Sequence, residues 1–313
     1  MPLPNNPLKA LNAYLVKGRD RNLLIDTGFN REECRTALFS GLKSLDASLD
    51  KTDIFITHMH ADHSGLVSAV ATEKNVVYCG EVDAKRINWA LSPEYWPENL
   101  AYIGAYGFPV GEFGEALLQH PGQKYGPDNE HDFCIVREGD ALEAGEYRFV
   151  VVETPGHTPG HICLYEPDKR ILISGDHILG RITPNITMFY KGLPDPLGQY
   201  LRSLDKVDRM EIGVALPGHR GIIEDVHKRI AELRRHYDHR LHEVLTILED
   251  GLMNAYQVAG GITWDLSYTW DQFPLQQMLF ATGEAISHLE HLRGQNKARR
   301  LECEGTLLFE RVK

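Results

Sequence analysis

The chain has 313 residues, 42% hydrophobic and 25% charged, with a formal net charge of -11, the balance of an ordinary globular protein long enough for one large domain with an appendage, or for two domains. That charge argues against a general polyanion binder, because affinity for nucleic acid and for anionic membranes rests on clustered Lys and Arg. No apolar run reaches the roughly 18 residues needed to span a bilayer, no basic-then-apolar leader opens the sequence, and five scattered cysteines without a CxxC pair suggest neither a disulfide framework nor a thiolate zinc cage, so a cytoplasmic protein is expected.

Apolar spacing predicts strands over residues 12–16 and 22–26, a helix over 31–45, and further strands over 53–57, 76–79, 147–153, 161–165, 170–174 and 212–216. Helices are expected over 66–72, 81–91 and 197–210. No Gly-rich phosphate loop follows the first strand, so sheets with covering helices in an α/β sandwich are expected rather than a dinucleotide-binding unit. Residues 93–132 are rich in Gly, Pro and aromatics and read as an irregular segment, either a lid or substrate-pocket wall or else a packing or dimer segment. From 224 to 250 runs a long charged helix whose His236, His239 and His242 stand among Arg234, Arg235, Asp238 and Arg240, a solvated face rather than a ligand stripe. At the C-terminal end, a helix over 276–293 precedes strands over 299–302 and 306–311 around Glu304-Gly305, the outline of a winged helix.

Four places share one layout, in which an apolar strand ends and a His or Asp follows: DIFITH with His58, then His60, Asp62 and His63; VVVETPGH with His157; RILISGD with Asp176; and IGVALPGH with His219. A single His after a strand is commonly just a hydrogen-bonded polar residue; four such strand ends on one sheet edge can instead converge in a cleft. Imidazole and carboxylate without thiolate suit two divalent ions, Zn2+ first and Fe or Mn next, in a catalytic rather than a closed site. The seven divide into His58, His60 and His157 for one ion and Asp62, His63 and His219 for the other, with Asp176 able to bridge them. His161 and His177 are expected to support this set without ligating, and Asp26 to orient the metal loop.

THMHADHSG, TPGHTPGH, SGD and LPGH, spread in that order over residues 57 to 219, resemble the signature motifs of the metallo-β-lactamase-fold hydrolases, and LLIDTG with Asp26 and Gly28 matches the early strand-turn element of that family. The resemblance implies an αββα sandwich with the metals between the sheet edges and carries metal binding to those seven residues only. The chain is then expected to comprise a catalytic domain over 1–223 with 93–132 as its insert, a connecting helix over 224–252, and a winged-helix-like domain over 253–313.

Coordination to such ions lowers the pKa of water toward about 7 and supplies a nucleophile without serine or cysteine, with Asp62 as general base. The His after the motif's Asp, and Asp176 in place of a cysteine, are unlike the true β-lactamases and similar to the glyoxalase II branch and its lactonase relatives. Hydrolysis of a small ester, thioester or lactone is the expected activity. Tyr190 is either a substrate contact at a carbonyl or a packing residue. An RNA or DNA phosphodiesterase is the alternative, suggested by the winged outline and by Arg293, Lys297, Arg299 and Arg300; a mononuclear-iron sulfur dioxygenase is a third reading, disfavoured by His219. The C-terminal unit is otherwise a structural cap or a homodimer contact.

Overall fold

The apolar run Thr52–Ile56 shows how side chains are apportioned: Ile54 and Ile56 are buried on one face of a sheet and Phe55 on the other, the period-two pattern of a strand covered on both sides. The computed structural model describes residues 1–4, 6–117, 120–188, 194–266 and 269–313. The chain divides into two units: Met1–Ser92, Pro121–Pro184 and Ser203–Ile230 form the first, and Pro93–His120, Asn185–Arg202 and Ala231–Lys313 the second.

In the first unit β1 (Tyr14–Val16), β2 (Asn22–Ile25), β3 (Thr52–Ile56), β4 (Val77–Gly80) and β5 (Cys134–Val136) lie side by side in chain order, parallel apart from the β1–β2 hairpin. A second sheet holds β6 (Ala141–Ala144), β7 (Tyr147–Glu153), β8 (Ile162–Glu166), β9 (Ile171–Gly175) and β10 (Val214–Pro217), also in chain order; β9 and β10 are parallel and the other pairs antiparallel. Leu23, Ile25 and Phe55 of the first sheet meet Phe149, Val151, Ile162, Leu164 and Ile173 of the second in a central core. Leu24, Ile54 and Ile56 face outward onto Cys34, Leu38 and Leu42 of helix α1 (Glu32–Ser44). Sheet packed on sheet with helices outside is the expected αββα sandwich.

Three expectations are corrected. The helix expected over 66–72 is shortened to a single turn, α3 (Val67–Val70), and another turn, α2 (Ala61–Ser64), precedes it unforeseen. Leu66 N donates to the Gly28 carbonyl at 3.0 Å rather than back along the turn, which separates the two. Strands β5 and β6 went unpredicted because each is three or four residues long and is specified by pairing with β4 and β7 rather than by its own pattern. Residues 93–132, expected to be irregular, are largely helical: after α4 (Glu81–Trp89) come α5 (Tyr95–Ala105), α6 (Val110–Leu117) and α7 (Pro121–Lys124). Pro97 falls in the first turn of α5, where its missing N–H costs nothing, and the buried face is Tyr95, Asn99 and Ile103 at four-residue steps.

Helices α8 (Pro196–Asp208) and α9 (Val226–Ile247) lie near the expected spans. On α9, Arg235, Asp238, His239 and His242 are exposed as the charges indicated, but His236 and Arg234 are half-buried and Arg240 is buried and paired with Glu243, so the charged stretch is solvated only in part. In the second unit a capping box of Asn254 and Gln257 opens α10 (Ala255–Gly261), which packs beside α11 (Leu275–Gly294). The hairpin β11 (Ala298–Cys303) and β12 (Thr306–Arg311) turns at Glu304-Gly305, both at positive φ, as a two-residue hairpin turn requires. Arg300 and Arg293 each donate at 2.6 Å to the buried Glu290, which also accepts from the Tyr106 hydroxyl at 2.8 Å, and Arg299 pairs with Glu310. Three of the four basic residues singled out in this tail are thus neutralised within their own unit.

Candidate metal centre

Strands β7 and β9 both run antiparallel to β8, and β10 runs with β9, so the C-terminal ends of β7, β9 and β10 share one edge of the second sheet. The end of β3 joins them through a backbone bond from Ile162 N to Thr57 O at 2.9 Å. His58, His60, His157, Asp176 and His219 are carried on the loops that leave these ends, and Asp62 and His63 on the turn α2 that follows the first of them. Two glycines permit the convergence. Gly175 turns at φ 48°, and a Cβ on Gly218 would stand 2.6 Å from both Asp176 Oδ1 and His63 Cε1.

Three groups of donor atoms result, each drawn together within 4.8 Å: His58, His60 and His157; His58, His63 and Asp176; and Asp62, His63 and His219. His219 Nε2 lies 3.2 Å from Asp62 Oδ2 and 3.5 Å from Asp176 Oδ2, while His157 Nε2 lies 3.7 Å from Asp176 Oδ2 and His63 Nε2 3.5 Å from Asp176 Oδ1. Asp176 therefore stands between the three-histidine group and the group around Asp62. Six of the seven side chains are buried; His60 is half-buried.

The outward nitrogens are tied, and the ties fix the tautomers. Asp26 accepts from Thr57 N and Thr57 Oγ1, each at 2.9 Å, and from His63 Nδ1 at 2.7 Å. With its proton committed to Asp26, the Thr57 hydroxyl can only accept from His58 Nδ1, 3.0 Å away. His219 Nδ1 donates to the Ala10 carbonyl at 2.7 Å. In all three imidazoles Nδ1 thus carries a proton and Nε2 is turned toward the other donors. His63 Nε2, His219 Nε2 and Asp176 Oδ1 are buried without a hydrogen bond among the described residues, a costly state for polar atoms. An N/O donor set of this kind, orphaned and convergent, fits divalent metal ions.

Electrostatics prepare the same set. Burial, reinforced by neighbouring histidines, holds His58 well below the usual imidazole range and His60 down to about 3, so both are neutral donors. Against the effect of burial, His63 and His219 hold Asp62 down to about 2, and His219 and His63 hold Asp176 well below the carboxylate range. In turn, and also against burial, His63 is raised well above the imidazole range by Asp26, Asp176 and Asp62, and His219 is raised by Asp176 and Asp62.

His161 and His177 belong to none of the donor groups. His161 Nε2 accepts from Asp176 N at 3.1 Å and its Nδ1 meets Thr154 Oγ1 at 2.7 Å, so both nitrogens are occupied in seating Asp176. His177 is buried beside Asp176, and burial pushes it down to about 3. Asp26 orients the metal loop as anticipated. Tyr190 lies outside the described residues. Sequence reasoning missed the N-terminal hold on His219. Asn12 Nδ2 donates to Pro217 O at 3.0 Å and Arg220 O at 2.8 Å, and Tyr14 Oη to Pro217 O at 2.8 Å. Their separation from His219 by more than two hundred positions leaves no local signal.

A family model described as the metallo-beta-lactamase superfamily matches residues 8–219, and one described as a metallo-beta-lactamase-like C-terminal domain matches 270–312. The chain belongs to the metallo-β-lactamase superfamily. It is 26% identical to "Probable metallo-hydrolase YqjP" of Bacillus subtilis, over 96% of this chain and 93% of that protein. It is 27% identical to "Acyl-coenzyme A thioesterase MBLAC2" of Bos taurus over 66% of this chain and 72% of that one. Among solved structures, the metallo-beta-lactamase family protein TTHA1429 from Thermus thermophilus superposes with a TM-score of 0.84 at 29% identity, covering 100% of this chain and 97% of that one.

Proposed function

We propose that this chain is a dinuclear metal-dependent hydrolase of a small acyl thioester or ester, with lactones in the same chemical class. The observation that carries the proposal is the pair of donor groups, His58, His60 and His157 beside Asp62, His63 and His219, with Asp176 between them. Two divalent ions, zinc first among the candidates, would supply there a Lewis acid for the acyl carbonyl and activated water at neutral pH.

The chain's own residues do the remainder. Asp26, Thr57 and Ala10 hold His63, His58 and His219 with Nε2 inward, and His161 seats Asp176. Asp62, ionised and 8% exposed, is placed to accept a proton from water. A thioester is favoured among acyl substrates by the likeness to the acyl-coenzyme A thioesterase. Cleavage of nucleic acid is supported less, since Arg293, Arg299 and Arg300 are already paired with acidic groups and the net charge is -11.

The test is turnover of acetyl- and longer-chain acyl-CoA, and of p-nitrophenyl esters, by zinc-loaded protein. Asp62→Ala should lower kcat/KM at least about 100-fold, the usual scale for a general base. Absence of turnover on every acyl substrate, together with salt-sensitive retention of RNA, would overturn the proposal in favour of a phosphodiesterase.

A further inference from the structure

Asp83 sits in the first turn of α4 with its carboxylate wholly buried. Oδ2 accepts from Met59 N at 2.9 Å and from Thr158 Oγ1 at 2.5 Å, and Oδ1 accepts from Gly160 N at 2.7 Å. Met59 lies between His58 and His60, while Thr158 and Gly160 follow His157. One side chain therefore fastens the loop after β3, from the first sheet, to the loop after β7, from the second. Gly160 makes room for it, since a Cβ there would stand 2.4 Å from Asp83 N and 2.7 Å from Asp83 Oδ1.

We propose that Asp83 is a positioning residue that sets the spacing between the two loops bearing His58, His60 and His157, and so governs the affinity of that three-histidine group for its ion. This rests on the dinuclear reading above. A carboxylate is required because both oxygens must accept; asparagine would turn an N–H toward one loop or the other. Stability alone does not account for the choice. Burial pushes the Asp83 carboxyl up to about 6, so keeping it ionised at neutral pH costs the fold free energy. The hydrogen bonds from Thr158, Met59 and Gly160 oppose that rise without cancelling it, and all three come from loops that carry ligands and do not otherwise share a strand pair.

The test is stepwise zinc binding to the full chain at pH 7.5, measured by competition with a chromophoric chelator, with metal-to-protein ratio by elemental analysis and the melting temperature of the metal-free protein. In Asp83→Asn one binding step should weaken about 10- to 100-fold, the scale for groups that orient metal ligands. The other step should stay within about threefold and the metal-free melting temperature within a few degrees. Unchanged binding overturns the proposal, as does parallel weakening of both steps with a fall in that melting temperature, which marks general loosening. Should Asp83→Asn not fold, Thr158→Val, which removes one of the three bonds and keeps the charge, carries the test: about three- to tenfold weakening of a single step is expected, and none overturns it. One zinc rather than two in the wild-type chain defeats the dinuclear reading, while the positioning claim is judged by the ratio of wild-type to variant affinity.

Discussion

Asp26 adopts φ 61°, a left-handed conformation rare outside glycine and tolerated best by Asn and Asp. It thereby presents both oxygens to the loop after β3. Asp26→Asn keeps a residue suited to that backbone yet leaves Thr57 or His63 facing an amide N–H. Zinc affinity measured against a chelator should fall about 10- to 100-fold; unchanged affinity would show that the His63 tautomer is set by something else. Gly218 supplies a steric counterpart. Its substitution by alanine places a methyl 2.6 Å from Asp176 Oδ1 and His63 Cε1, closer than packed atoms allow, so metal content by elemental analysis should drop below that of the wild type while circular dichroism keeps its native shape. Seven residues of the site were legible in the sequence because His58, His157, Asp176 and His219 each close an apolar strand and His60, Asp62 and His63 crowd behind the first of them. Asp83, Asn12 and Thr57 were not, because what they do depends on which loops the two sheets bring opposite them, and no spacing within one segment records that.

At the scale of elements, strands β2, β3, β7, β8 and β9, which supply most of the central core, were foreseen to within a residue or two, since alternation and burial act on the same side chains. Strands β5 and β6 and the helices of residues 93–132 escaped because tertiary pairing and a buried face holding Asn99 beside Tyr95 and Ile103 override local composition. Helix α11 carries a testable case of such override. Burial pushes Glu284 up to about 7, with Arg240 opposing weakly. Its folded value exceeds the unfolded one near 4.5, so the native state holds the extra proton between those values and stability declines as pH rises from about 4.5 to 7. Glu284→Gln should therefore melt higher than the wild type at pH 8 and at nearly the same temperature at pH 4, as followed by calorimetry. Equal offsets at both pH values would show the carboxyl to be solvated.

For the whole molecule, the metal-free centre holds protons that a cation must displace. His63 and His219 are raised above the usual imidazole range by carboxylates, each against its own burial. Ion binding at neutral pH should release protons, and zinc affinity should fall as pH drops through neutrality. Titration in weakly buffered solution reads both; pH-independent affinity between 6 and 8 would contradict the assigned protonation.

The division of the chain has a consequence for its biosynthesis. The second unit draws on Pro93–His120, Asn185–Arg202 and Ala231–Lys313, so its first piece leaves the ribosome while its last is still unmade. At roughly 5–20 residues per second, the 111 positions from His120 to Ala231 take on the order of 5–20 s. During that interval Tyr106 and Phe108, buried in the finished protein, have no companions from the third piece and offer apolar surface to nascent-chain chaperones.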